Sequence, residues 1–194
     1  MPRKVADDIK AELTAERIEP VYKNSDLLGS GSYMMNLACT GRLAGAFPKG
    51  KVILLVGDSA SGKTWTSLSC FAESRMKANF KNHIIILDST SEDGAGMDIE
   101  AFFGKEVANN IIHVNSHYTE EFYARIDDLV KEGKPFIYVL DSENGLETLA
   151  DDAKFEENKK LIRRGKAPTG SFGTKPKQHS SSLLRLKRGV KDTD

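Results

Sequence analysis

The chain has 194 residues, of which 39% are hydrophobic and 29% charged, enough for one α/β domain with a sizeable core or for such a domain plus an arm. Its 28 basic residues balance its 28 acidic residues, so the total charge neither supports nor excludes a polyanionic partner. No apolar run approaches the length of a membrane span, no signal-peptide core follows Met1, and Cys39 and Cys70 lack metal-ligand or redox spacing, so we expect a cytoplasmic protein with no membrane partner.

Residues 1–24 are predicted to form a charged N-terminal arm. Ile9 and Leu13, two of its few apolar residues, are four positions apart, as they would be on one face of a helix. Two interpretations stay open: a solvated arm, and an arm that docks on a neighbouring subunit. After the arm, residues 27–43 indicate a turn, a short helix and a glycine-rich exit, and residues 47–50 indicate a turn into the first core strand.

The next stretch has the G-x-x-x-x-G-K-T pattern of a Walker A phosphate-binding loop. Its residues are Gly57, Asp58, Ser59, Ala60, Ser61, Gly62, Lys63 and Thr64. Glycines at both ends let successive backbone N–H groups face a polyphosphate, Lys63 can reach the β- and γ-phosphates, and the Thr64 hydroxyl can hold Mg²⁺. We therefore expect ATP and Mg²⁺ as cofactors. Trp65, the next residue, either contacts the nucleotide or packs against the core.

The phosphate loop has the sequence context that its function requires. Residues 51–56 are, after their lysine, an apolar run rich in β-branched residues, which predicts a buried parallel strand before the loop. Residues 64–80 have the apolar periodicity of a helix. The N-terminus of that helix would add its partial positive charge to the phosphate site.

Later strands and helices alternate along the chain. The predicted strands are residues 83–87, 110–114 and 135–140, and the predicted helices are residues 98–103 and 119–131. Thr119 is a plausible N-cap of the second helix, and Gly133 ends it. The alternation predicts an α/β fold with a mostly parallel sheet and helices on both faces. A ligand then lies beyond the carboxyl ends of the strands, where the phosphate loop, Asp88 and Asp141 fall.

Asp141 ends a buried apolar strand, which is the Walker B pattern, and we expect its carboxylate to hold Mg²⁺. Hydrolysis also needs a carboxylate that orients or deprotonates the attacking water. The loop after Asp88 is the natural place for that group, and Glu92 is our candidate. The alternatives are Asp93, Asp98 and Glu100. A merely solvated acidic loop is the competing interpretation.

The chain changes character after Asp141. A charged helix is predicted over residues 147–164, followed by a Gly/Ser/Pro/Lys loop and a helix over residues 182–190. Residues 159–188 contain lysine and arginine but no acidic residue, which suits contact with a phosphate backbone or, alternatively, a solvated charged face. The candidate DNA contacts are Arg163, Arg164, Lys166, Lys175 and Lys177.

In their order along the chain, these features resemble the RecA superfamily, especially the phage and bacterial RecA/UvsX-like recombinases. The resembling segments are Leu28-Gly29-Ser30-Gly31-Ser32, Asn36-Leu37-Ala38, Phe47-Pro48-Lys49-Gly50, the phosphate loop, Ile86-Leu87-Asp88, Met97-Asp98 with Phe103-Gly104, and Val139-Leu140-Asp141-Ser142. The resemblance covers residues 25–194, the predicted RecA-like P-loop NTPase core. Only the Walker A loop is specific by itself, but the ordered set is specific as well.

The resemblance implies a DNA-dependent ATPase, in a bacterial cell or a phage-infected host, that assembles as a filament on single-stranded DNA and promotes strand exchange in recombination and repair. It places the first DNA-binding loop region at about residues 145–180. The family's catalytic glutamate stands two residues after the aspartate of the second strand, and Thr90 has that place here. The family's next core strand would begin near Lys191, so we expect a chain that is cut short of the last core strands.

Two alternatives remain. One is a RecA-fold helicase or regulatory ATPase of the DnaB or KaiC kind, which would assemble as a ring. The other is a nucleotide-binding fragment without catalysis, which Thr90 and the expected truncation would favour.

Overall fold

A computed structural model describes residues 22–90, 97–168, 170, 182–187 and 189–190. Its strands are β1 (Leu27–Leu28), β2 (Phe47–Pro48), β3 (Ile84–Ser89), β4 (Ile111–Val114) and β5 (Phe136–Asp141). Its helices are α1 (Tyr33–Thr40), α2 (Lys63–Met76), α3 (Ile99–Phe103), α4 (Lys105–Asn110), α5 (Thr119–Glu132) and α6 (Leu149–Arg163), with short 3-10 turns at Asn24–Asp26 and Glu143–Gly145. The described residues of the predicted C-terminal helix are helical, and the predicted N-terminal arm lies outside the described residues up to residue 21.

The main sheet is parallel, as the sequence predicts, with the strand order β4–β3–β5. Side chains alternate along β3, so its residues point in turn to the two faces of the sheet. Ile85 and Leu87 are buried against α2, where Leu68 and Phe71 are fully buried. Helices α3 and α4 extend the same cluster. On the opposite face, Arg125 of α5 hydrogen-bonds to polar groups of β3 and β5, so helices cover both faces of the sheet.

The two-residue strands β1 and β2 pair antiparallel and lie beside the end of α2. We predicted α2 to continue to about Phe80, but it ends at Met76 because Lys77 has an extended backbone. The Lys77 ammonium turns back to donate hydrogen bonds to the carbonyl oxygens of Leu27, at 3.1 Å, and of Ala44. The end of α2 is therefore fixed to the β1–β2 unit through a lysine side chain.

The strand predicted over residues 51–56 is not formed. The segment joins no sheet, and its side chains are largely exposed, including 73% of Leu54 and 84% of Val56. An apolar run specifies that a segment can be buried, but it names no hydrogen-bonding partner, and a strand exists only when its backbone groups are paired. Within the described residues β5 is consequently an edge strand, with β3 as its one neighbour.

Helix ends follow the capping chemistry of the sequence, with one correction. The Ser32 hydroxyl accepts from the backbone N–H of Met35 at the start of α1. We predicted Thr119 as the N-cap of α5, but the cap is Tyr118, whose backbone N–H donates to the Glu121 carboxylate. Thr119 is instead the first helical residue and is fully buried, since residues 117–119 pair with Glu147 through backbone hydrogen bonds. Gly133 ends α5 in the left-handed conformation, as predicted.

Among the residues described, no helix combines the length and apolar character needed to cross a bilayer.

Candidate nucleotide-binding site

The phosphate loop leads directly into the N-terminus of α2. Gly62 precedes the helix with a φ of +88°, a conformation that glycine adopts without the penalty of a side chain. At the other end of the loop, a Cβ on Gly57 would lie 2.6 Å from the Ser61 hydroxyl oxygen, so a side chain there would require the Ser61 hydroxyl to move. The loop is exposed, and a helix N-terminus in this setting offers backbone N–H groups and a partial positive charge to an anion.

The Lys63 ammonium is folded over the loop. It donates hydrogen bonds to the carbonyl oxygens of Gly57, at 2.8 Å, and Asp58, at 2.7 Å. A phosphate oxygen is a stronger partner for the ammonium than these neutral carbonyl oxygens, because its negative charge adds Coulomb attraction to the hydrogen bond. The lysine is therefore positioned so that it can exchange carbonyl contacts for phosphate contacts.

Thr64 and Asp141 meet although they are 77 positions apart in the sequence. The Thr64 hydroxyl donates to the Asp141 Oδ2 atom at 2.5 Å, and both side chains are partly buried. Thr64 is in the first turn of α2, and Asp141 is the last residue of β5. A hydroxyl and a carboxylate oxygen are hard oxygen ligands, which suit Mg²⁺ when phosphate oxygens and water complete its coordination. The donor set therefore fits the expected metal.

Asp88, which we placed at the ligand side of the sheet, has a different environment. It is fully buried, and its carboxylate accepts from the backbone N–H of Ser116 at 2.8 Å and from the Ser116 hydroxyl at 2.7 Å. It also accepts from the Tyr138 hydroxyl and from Arg125 Nη1, the latter at 3.3 Å. We call these four residues the Asp88 network.

The Asp88 network lies on the α5 face of the sheet, whereas Asp141 contacts α2. Burial, followed by the hydrogen bond to Asp88, raises the pKa of the Tyr138 hydroxyl, which keeps it protonated as a donor. Hydrogen bonding to Tyr138 raises the pKa of Arg125, as does the charge of Asp88. Sequence reasoning missed this network, although the two-residue alternation from Leu87, which faces α2, places Asp88 on the other face.

The candidates for the water-orienting carboxylate are not assembled at the phosphate loop within the described residues. Glu92, our candidate, and Asp93 lie outside the described residues. The Asp98 carboxylate accepts from the backbone N–H of Ala101 and caps α3. Glu100 is exposed and 3.6 Å from the ammonium of Lys105. The described alternatives therefore have local roles in α3.

Thr90 is buried where β3 ends, and its hydroxyl is fully engaged. The hydroxyl donates to the carbonyl oxygen of Ser142 at 2.6 Å and accepts from the Ser142 backbone N–H at 3.1 Å. The Thr90 backbone N–H donates to the carbonyl oxygen of Asp141 at 3.0 Å. Position 90 is therefore connected to the metal-binding candidate through the backbone groups of Asp141 and Ser142.

The Trp65 ring packs against two aromatic rings of α3. Ring centroids are 5.3 Å from Phe102 and 5.0 Å from Phe103, and the indole is 44% exposed. Such edge and tilted contacts favour packing of α2 on α3. Of the two interpretations of Trp65, the structure provides direct contacts for the packing one.

The described basic candidates cluster where α6 ends. Arg163, Arg164 and Lys166 are all exposed there, while Lys175 and Lys177 lie outside the described residues. Phe155, on the same helix, is 60% exposed, with the Lys159 ammonium 5.9 Å from its ring centroid. Exposed cations at the end of a helix that also carries an exposed aromatic ring are the kinds of side chain that contact phosphates and bases of single-stranded nucleic acid.

Sequence comparisons relate the chain to one group of proteins. Protein RecA of Mycoplasmopsis pulmonis is 31% identical over 120 residues, which are 60% of this chain and 32% of that protein. Protein RecA of Malacoplasma penetrans is 24% identical over 73% of this chain and 42% of its own length. The mitochondrial DNA repair protein recA homolog 3 of Arabidopsis thaliana is 26% identical over 62% of this chain and 26% of its own length. The chain thus spans a quarter to two fifths of these curated relatives. No family model matches it.

Proposed function

The chain belongs to the RecA superfamily, and from that premise we propose that it is the nucleotide-binding part of an ATP-dependent DNA recombinase. The observation that carries the proposal is the contact between the Thr64 hydroxyl and the Asp141 carboxylate, together with the Lys63 ammonium folded over the phosphate loop. These are the three side chains that a Mg²⁺-nucleotide site of the P-loop type requires.

Each residue of the site has a distinct task in the proposed reaction. Backbone N–H groups of residues 57–62 and the N-terminus of α2 would bind the phosphates, and Lys63 would contact the β- and γ-phosphates. Thr64 and Asp141 would hold Mg²⁺, which neutralises charge on the phosphates when bound. Glu92 is proposed as the group that orients the attacking water, because it is the carboxylate that the sequence offers in the loop after Asp88.

Single-stranded DNA is the proposed partner. Its phosphates would be contacted by Arg163, Arg164 and Lys166, together with Lys175 and Lys177, in a segment that carries no acidic residue between positions 159 and 188. Affinity that depends on such contacts falls steeply as salt rises, because each neutralised phosphate releases counterions. We further propose self-association as a filament on DNA, in the cytoplasm of a bacterial cell or a phage-infected host.

Thr90 favours a second candidate function, a nucleotide-binding module without turnover. Its buried hydroxyl carries hydrogen bonds to Ser142, and a threonine hydroxyl is a poor general base. In this alternative the chain binds Mg²⁺-nucleotide through the same loop, and no carboxylate activates water.

The decisive experiment is steady-state ATP hydrolysis with and without single-stranded DNA, together with binding of a fluorescent ATP analogue. Lys63→Ala tests the site, and Lys81→Ala, an exposed lysine in a turn after α2, is the matched control. DNA-stimulated turnover that is lost only in Lys63→Ala supports the recombinase. Lys63-dependent binding without turnover supports the binding module, and turnover indifferent to DNA supports a helicase-type or regulatory ATPase. If Lys63→Ala binds nucleotide as the control does, the site assignment is wrong.

A further inference from the structure

Three hydrogen bonds connect Thr90 to the end of β5, and all three engage the backbone of consecutive residues. The Thr90 N–H donates to the Asp141 carbonyl oxygen at 3.0 Å, and the Thr90 hydroxyl both donates to the Ser142 carbonyl oxygen and accepts from the Ser142 N–H. Ser89 and Asp141 form the last pair of the β3–β5 ladder, so Thr90 extends the pairing by one residue through its side chain.

This connection is the lateral support of the metal-binding candidate. Within the described residues β5 is an edge strand, and after Asp141 the chain leaves the sheet for the 3-10 turn at Glu143–Gly145. Strand ends with unpaired backbone groups on one side fray readily. The carboxylate of Asp141 must nevertheless stay next to the Thr64 hydroxyl, to which it is hydrogen-bonded in the structure, for both side chains to reach one cation.

We propose that Thr90 is a positioning residue of the nucleotide site: it holds the Asp141–Ser142 backbone so that the Asp141 carboxylate faces Thr64 and the cation that accompanies the nucleotide phosphates. The proposal rests on the proposed binding of a Mg²⁺-nucleotide. Groups that orient metal ligands through hydrogen bonds in this way contribute measurably to metal affinity.

The chemistry of a hydroxyl explains why the position needs threonine or serine. The same oxygen donates to one backbone group of Ser142 and accepts from another, which a hydroxyl can do. An ionised carboxylate only accepts hydrogen bonds, so glutamate at position 90 would leave the Ser142 carbonyl without its donor. In this chain the side chain at position 90 therefore supports the backbone, and a group at another position would have to activate water.

The test compares nucleotide affinity with Mg²⁺ and with EDTA, using a fluorescent ATP analogue, in the full chain. Thr90→Val has nearly the same shape but lacks the hydroxyl, and we expect it to lose about tenfold of the Mg²⁺-dependent gain in affinity while its affinity in EDTA stays unchanged. Thr90→Ser restores the hydroxyl and should recover the gain. A general loss of stability would lower both affinities together, so the ratio separates positioning from a merely structural role.

Thr40→Val is the matched control, because the Thr40 hydroxyl also donates to a backbone carbonyl at 2.6 Å, that of Gly45, but lies on α1. It should keep the wild-type ratio. An unchanged ratio in Thr90→Val would overturn the proposal for Thr90 while leaving the proposed function intact. A wild-type chain whose affinity gains nothing from Mg²⁺ would overturn both. Thr90→Glu should also lose the gain, and a Thr90→Glu variant that hydrolyses ATP faster than wild type would contradict the proposed role.

Discussion

Replacing Asp88 with asparagine should destabilise the fold more than any other single change of one carboxylate among the described residues. Asparagine keeps the size of the side chain but removes the charge and presents an NH₂ group to donors. In the wild type the fully buried Asp88 carboxylate accepts hydrogen bonds from Ser116, Tyr138 and Arg125. At least one donor must therefore lose its acceptor, and Arg125 loses its counter-charge.

The structure sets the size of the effect. Removing one member of a buried charge pair typically costs about 3–5 kcal/mol. The Arg125 side chain is 35% exposed, so water retains part of its hydration and reduces the cost, and we expect about 3 kcal/mol for Asp88→Asn. In a chain of this length such a loss lowers Tm by roughly 6–12 °C. Tyr138→Phe removes a single donor and should cost about 1–1.5 kcal/mol.

Urea unfolding followed by far-UV circular dichroism measures these differences. Asp128→Asn on α5 is the matched control, because that aspartate is 73% exposed and 3.9 Å from the Lys131 ammonium, and we expect its midpoint to stay near that of the wild type. A loss for Asp88→Asn below about 1 kcal/mol would refute the reasoning, since it would mean that the buried donors find other acceptors. An equal loss for Asp128→Asn would likewise show that burial does not decide the cost.

Two further predictions concern single residues at the ends of elements. Burial, followed by the charges of Lys49 and Arg75, lowers the pKa of His83 from 6.5 to about 4. As the pH falls, the unfolded chain binds a proton at His83 before the folded chain does. The stability that the neutral imidazole contributes is therefore complete above pH 6.5 and is lost as the pH falls towards 4, and after allowance for the partial exposure of His83 we expect the free energy of unfolding to fall by about 1–2 kcal/mol. The measurement compares wild type with His83→Gln in urea unfolding at pH 7.5 and pH 4.5. An identical pH dependence in both proteins would contradict it. Gly133→Ala should lower the free energy of unfolding by about 1 kcal/mol in the same assay at pH 7.5, because Gly133 has a φ of +67° that a residue with a Cβ adopts at a cost. Nothing lies within 4 Å of an added Cβ, so this backbone cost is the whole effect. An unchanged free energy of unfolding would show that the helix end relaxes.

The parallel sheet was predictable because its strands are short apolar runs bounded by turn residues. The three strands that form the sheet lie within one or two residues of their predicted bounds, and the order of strands and helices led to the fold class. Residues 51–56 have the same apolar character and form no strand. The difference is pairing, which depends on a neighbouring strand elsewhere in the chain and has no local signature.

Some side-chain contacts at the site were likewise predictable from the sequence, and others were not. The motif positions Thr64 and Asp141 come together because the helix N-terminus and the strand end are fixed by the topology of the fold. The roles of Thr90 and of Asp88 depend on which neighbouring backbone and side-chain groups reach them. Those partners, Ser142 for Thr90 and Ser116 for Asp88, lie 52 and 28 positions away, beyond the reach of any local pattern.

The packing of Trp65 has a practical consequence for spectroscopy. It is the one tryptophan in the sequence, it follows the metal-binding candidate Thr64 directly, and its ring rests against Phe102 and Phe103 of α3. A partly exposed indole changes its emission with polarity and quenching. Tryptophan fluorescence, excited selectively over that of the five tyrosines, therefore reports on a single known location at the start of α2. Trp65 is thus an intrinsic fluorescent probe, and a rearrangement of the phosphate loop against α3 would change the surroundings of its indole.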